Sequence, residues 1–171
     1  MRGMQSDTLV SVEEYLHTSY SPDREYLEGK ILERNLGEQD HSRPQGLLVG
    51  YLLNREKQWG IYVFPEQRVQ VKRDRFRVPD ICVVVGARPS EQIFIHPPFL
   101  CIEILSKEDR MSDVLVKVDD YLGFGVRYVW VLDPRSRHAQ IFDASGVHDV
   151  KDGMLWTADP EIFVPLNELF D

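Results

Sequence analysis

Between Val78 and Ser106 the chain sets two acidic side chains where burial is costly. Val78-Pro-Asp-Ile-Cys-Val-Val-Val85 and Phe99-Leu-Cys-Ile-Glu-Ile-Leu105 read as strands in which nearly every neighbour of Asp80 and Glu103 is β-branched, aromatic or otherwise apolar. A carboxylate buried there is destabilising unless something offsets its charge. A divalent cation shared by Asp80 and Glu103 would offset both; the plainer alternative is that each acid lies at a strand end, solvated or paired with an arginine. Sharing requires adjacent strands with both side chains on one face. The antiparallel register that sets Asp80 opposite Glu103 also sets Cys82 opposite Cys101.

At 171 residues the chain has the usual size of one domain, and residues 1–171 are expected to form a single unit. No apolar run approaches the roughly 20 residues needed to cross a bilayer, and Met-Arg-Gly-Met-Gln-Ser lacks an apolar leader. The expectation is a soluble protein of the reducing cytoplasm, with no membrane partner and with both cysteines as thiols.

Net charge of −8 argues against indiscriminate nucleic-acid binding, which needs a positive face. Its distribution softens that, because from Asp143 to Asp171 seven acids stand against Lys151 alone. Within the nearly balanced remainder, Arg68, Lys72, Arg73, Arg75 and Arg77 surround a single Asp74, a basic stretch that suits phosphate contact. Its plain alternative is a solvated hairpin tip.

The elements follow in order. Ser11, with Glu14 three residues on, caps a short helix through Leu16, and Arg24 to Glu33 alternates as a hairpin turning at Glu28-Gly29, with Glu25 and Glu28 as outward acids. Leu47, Leu48, Tyr51 and Leu52 form the apolar stripe of a long helix between Glu38 and Trp59, starting near Arg43 so that Pro44 falls in its first turn. Strands are expected over Ile61–Phe64, Arg68–Lys72 and Phe76–Val85, then Phe99–Leu105; Ser112 caps a helix to Leu122; and Arg127–Leu132 is a strand parallel to the Phe99 strand through a right-handed crossover. The tail adds hairpin strands over His138–Phe142 and Val147–Trp156 and a closing helical turn over Pro165–Phe170.

A long helix, a meander carrying Pro-Asp and then Glu, a helix and a further strand is similar to the core of the PD-(D/E)XK nuclease superfamily. Asp-Arg-Glu-Tyr-Leu-Glu-Gly-Lys-Ile, isolated His41, Val-Pro-Asp-Ile, Ile-Glu-Ile-Leu-Ser, Lys117 with Tyr121, and Gly-Val-Arg-Tyr-Val-Trp-Val-Leu-Asp-Pro together resemble a large bacterial family of restriction-endonuclease-like proteins over roughly Val12 to Asp133. The resemblance implies an α/β fold: a restriction-endonuclease-like core over about 38–133, its mixed β-sheet flanked by helices, with an N-terminal hairpin and a C-terminal β-hairpin added.

It also implies phosphodiester hydrolysis dependent on Mg²⁺ or Mn²⁺, acting on nucleic acid, DNA foremost. Asp80, Glu103 and the Ile104 carbonyl would be the ligands. A homodimer is left open. Where the superfamily pattern has a lysine two residues after the Glu, this chain has Leu105. Lys117, on the following helix and four residues before Tyr121, is the expected replacement; Lys107 is the rival if the strand continues past Ser106. Glu28, His41, Gln67 and Tyr121 are candidate supporting groups around the metal, and Arg68, Lys72, Arg73, Arg75 and Arg77 are the candidate nucleic-acid contacts. The alternative function is a catalytically silent nuclease-fold module that binds nucleic acid or protein.

Overall fold

The computed structural model describes residues 8–34 and 37–171. Its helices are α1 (Val12–His17), α2 (Gln39–Leu53), α3 (Glu56–Trp59) and α4 (Met111–Phe124). The strands are β1 (Glu25–Leu27), β2 (Lys30–Leu32), β3 (Ile61–Pro65), β4 (Val69–Lys72), β5 (Arg75–Arg77), β6 (Ile81–Val85), β7 (Leu100–Ile104), β8 (Tyr128–Asp133), β9 (His138–Asp143), β10 (Gly146–Asp149), β11 (Met154–Thr157) and β12 (Ile162–Pro165). Among the described residues no helix is long and apolar enough to cross a membrane.

A six-stranded mixed sheet runs in the order β10-β9-β8-β7-β6-β3, beside a four-stranded sheet β2-β1-β5-β4 and the hairpin β11-β12. β7 and β8 pair in parallel across the α4 crossover; β6 and β7 pair antiparallel, with Cys82 opposite Cys101. Because side chains alternate along a strand, the large sheet has two apolar faces. Ile81, Val83, Leu100, Ile102 and Ile104 pack with Leu48 and Leu52 of α2 and with Leu155 and Val164 of the C-terminal hairpin. Cys82, Cys101 and Leu105 face the other way, against Val114, Val118 and Tyr121 of α4 and Val69 and Val71 of β4. The cysteines are buried free thiols with sulfurs 4.0 Å apart.

Several boundaries differ from the sequence expectation. α2 starts at Gln39 rather than near Arg43, so Pro44 lies inside the helix and forgoes the bond its N–H would give the Asp40 carbonyl. α4 starts at Met111 with Arg110, not Ser112, in the capping position, and runs to Phe124, where Gly125 at φ 115 ends it. A side chain at Gly125 would meet Pro97 Cγ at 3.2 Å. The expected Val147–Trp156 strand divides into β10 and β11, and the closing turn is a 3-10 helix over Leu166–Glu168. Ser11 caps α1 as expected, accepting the Glu14 N–H at 3.1 Å.

The largest difference is the expected Phe76–Val85 strand. It breaks at Val78-Pro79-Asp80 into β5 and β6, which belong to different sheets. Pro79 has no N–H for a ladder, and the Val78 N–H goes to Glu25 Oε1 at 3.1 Å.

Arg77 fastens the small sheet to α4. Its guanidinium donates to Glu25 Oε2 on β1 at 2.9 Å and, through Nε, to Asp120 Oδ2 on α4 at 2.8 Å. Arg77, Glu25 and Asp120 are all buried, and the shared cation offsets the charge of both carboxylates, with Arg75 adding a second ion pair to Asp120. Arg77→Met should therefore destabilise the protein by about 3–5 kcal/mol in chemical denaturation, because it takes a directly bonded cation from both buried acids, leaving Asp120 with Arg75 and Glu25 with the more distant Lys117. Lys72→Met, on the exposed end of β4, should stay within about 0.5 kcal/mol.

Candidate active site

Asp80 immediately precedes β6 and Glu103 is the fourth residue of β7. Continuing the observed register one step past Ile81 and Ile102 sets them opposite each other, and period-two alternation sends both toward the α4 face. Asp80 is 4% exposed and Glu103 6%. Both line a cleft of about 350 Å³, along with Ile104, His41, Lys117 and Arg34.

The two acids are compensated differently. Asp80 Oδ1 accepts from Arg34 Nη2 at 3.0 Å and lies 3.2 Å from His41 Nε2. Its Oδ2 accepts the Ile104 N–H at 2.7 Å, and its backbone carbonyl accepts from Gln45 Nε2 at 3.2 Å. In an antiparallel ladder the N–H and C=O of one residue face the same neighbouring strand, so the Ile104 carbonyl is expected on the side of β6. Pro79, the next residue in that register, has no N–H to give it. Glu103 Oε1 accepts the Tyr121 hydroxyl at 2.6 Å, while Oε2 is 3.6 Å from Lys117 Nζ, beyond direct hydrogen-bond distance. Lys117 lies 3.6 Å from Glu25 Oε1 as well.

These surroundings shift the titrating groups. Burial pushes the Glu103 carboxyl up from 4.5 to about 7, opposed by Lys117 and reinforced by Asp80 and Glu25. Burial works against the Lys117 ammonium, but Glu103 and Glu25 outweigh it and hold its pKa above the ordinary lysine value. The hydrogen bond to Asp80 raises the pKa of His41. Lys117 is thus a fixed cation and donor.

The remaining sequence candidates fall outside this cluster. Lys107 lies past the end of β7, largely exposed, in an ion pair with Glu38 at 2.7 Å. Glu28 pairs with Arg75, and Gln67 donates to the carbonyls of Arg68 and Gln92. The basic stretch divides. Arg68 is paired with Asp23, Arg75 with Asp120 and Glu28, and Arg77 is buried, whereas Lys72 and Arg73 are exposed. In the turn between β9 and β10, Asp143, Ser145 and His148 meet, but Ser145 and Asp143 both reach His148 Nε2, so the ring cannot relay a proton between them.

Three charged groups at the site escaped the sequence reading. Glu25, expected to face water, is 2% exposed, because alternation on β1 separates two faces and both are covered. Asp120 had a legible signal: Asp113, Lys117, Asp120 and Tyr121 recur at helical spacing on one side of α4. Arg34 follows β2 in a connection whose composition marks nothing.

This architecture is that of the restriction-endonuclease-like α/β class. A solved structure described as a "putative nuclease belonging to DUF820" from Anabaena variabilis matches with a TM-score of 0.81, covering 94% of this chain and 97% of that one at 24% identity. A DrdV–DNA complex overlaps with a TM-score of 0.41 and 17% identity, covering 66% of this chain and 12% of that one. No match was found among curated proteins. The family model of Uma2, described as "Putative restriction endonuclease", matches residues 12–161, and the chain belongs to that family.

The Glu103 shift has a measurable consequence. The fold holds this proton more tightly than the unfolded chain does, so its contribution to stability is intact below about 4.5 and is lost as the pH rises through about 7. In metal-free buffer Glu103→Gln, which cannot ionise, should be more stable than the wild type at a pH of about 8, and the gap should close by about 4. Denaturant midpoints across that range give the result; a gap independent of pH would mean that ionised Glu103 carries no burial penalty.

Proposed function

We propose that this chain is a divalent-metal-dependent nuclease hydrolysing phosphodiester bonds of nucleic acid, DNA foremost, in the cytoplasm. The observation that supports this most directly is the meeting of the Asp80 and Glu103 carboxylates and Ile104 at one cleft, with protonated Lys117 beside them.

The donor set fits Mg²⁺ or Mn²⁺. Three hard oxygens from adjacent strands suit a cation that takes one or two carboxylates and keeps several waters. No group of three His, Cys, Asp or Glu side chains able to hold a metal is found among the described residues. The nearby imidazole, His41, is engaged with Asp80, and the two thiols are buried in the α4-side core. When bound, the cation supplies Lewis acidity that activates a water and offsets charge on the phosphate.

The other steps belong to side chains. Tyr121 fixes one oxygen of Glu103 and leaves the other toward the cleft. Lys117, held between Glu103 and Glu25, donates to a phosphate oxygen in the transition state. It replaces the amine that Leu105 lacks, since that side chain is packed in the core with Val114 and Val118. Lys72 and Arg73 are the cations of the β4–β5 hairpin left to meet a phosphate backbone, because Arg68, Arg75 and Arg77 are engaged with carboxylates.

Calorimetric titration with Mn²⁺ should give an isotherm for the wild type that vanishes in Asp80→Ala; equal heats would remove Asp80 from the site. Lys117→Ala should bind metal nearly as well yet lose about 10²-fold or more in DNA cleavage, while Lys107→Ala changes little. Activity lost only with Lys107 would reverse the assignment. Metal binding without cleavage of any DNA form by the wild type would favour the silent binding module.

A further inference from the structure

Asp80 presents no bare carboxylate to a metal. Both of its oxygens carry donors, and Arg34 brings a permanent positive charge to Oδ1 at 3.0 Å. A cation bound to that oxygen at about 2.1 Å would lie within about 5 Å of the guanidinium nitrogen. Arginine does not relieve such repulsion by losing a proton, so it must move.

The two arginines at this site differ in how they are held. Arg77 is gripped by Glu25 and Asp120, and its departure would strip a direct ion pair from each of two buried acids. Arg34 is hydrogen-bonded to one carboxylate, Asp80, and its side chain is 12% exposed at the cleft wall. A second acid, Glu66, stands 3.8 Å from its Nη1 and is half exposed, where an ion pair needs little rearrangement of the core. One arginine is locked and the other has somewhere to go.

We propose that Arg34 is an exchangeable counter-ion: it neutralises Asp80 in the metal-free protein and is displaced toward Glu66 when a divalent cation binds. This rests on Asp80 being a ligand. Metal affinity is then set by a competition, and Arg34 keeps the site folded and charge-balanced until metal arrives.

Calorimetric Mn²⁺ titration of the wild type, Arg34→Gln and Arg34→Lys tests the exchange. Removing the charge should tighten Mn²⁺ binding by about tenfold, while Arg34→Lys, which keeps the charge, should stay within about threefold of the wild type. Arg34→Gln binding equally or more weakly would overturn the competition, leaving Arg34 as a support for Asp80 or a bystander. Silence from both wild type and Arg34→Gln would be a different failure, that of the metal site itself. Should Arg34→Gln not fold in chelator, the wild type still decides: the Arg34 side-chain N–H signal in NMR should shift along a Mg²⁺ titration with the midpoint of metal uptake. A signal unmoved at saturation overturns the proposal.

Discussion

Four buried carboxylates, Glu25, Asp80, Glu103 and Asp120, gather where the small sheet meets the large one, and the cations set against them join the two. Arg77 balances Glu25 and Asp120, so that β1, β5 and α4 meet through one guanidinium. Arg34 and the Ile104 N–H balance Asp80. Glu103 receives least, a tyrosine hydroxyl and a lysine beyond hydrogen-bond distance, and its raised pKa expresses that deficit. The least compensated acid is the one with most to gain from a cation.

The break at Val78-Pro79-Asp80 makes this arrangement possible. An unbroken strand would have kept the chain in one sheet and spent its backbone groups on a ladder. Instead the Val78 N–H anchors Glu25, and Asp80 takes the Ile104 N–H beyond the end of the β6–β7 pairing. Proline serves here by what it cannot donate.

Family membership and the fold place this chain among restriction-endonuclease-like proteins, and its departures from the superfamily pattern have local reasons. Leu105 occupies the position of the usual lysine but is needed in the core beneath α4, and an amine reaches Glu103 from that same helix. The basic run serves the interior before it serves any ligand. Three of its five cations pair with acids of this chain, which is how an acidic protein holds together a hairpin so rich in arginine.

What the sequence determined by itself were features of short range. The apolar runs around them put Glu103 within a strand and Asp80 at the start of another, and an antiparallel register then paired Cys82 with Cys101. The Ser11 cap, the Glu28-Gly29 turn and the parallel β7–β8 crossover were equally legible, since each follows from neighbours along the chain. Charge compensation was decided only by tertiary structure. The pairs that define the site join residues 46 (Arg34 and Asp80), 52 (Arg77 and Glu25) and 43 (Arg77 and Asp120) positions apart. Periodicity says which side of a strand a carboxylate takes, and Glu25 shows that it does not say whether that side is wet. Electrostatic pairing acts through space, so the partner of a buried acid is chosen by where the sheets and helices meet.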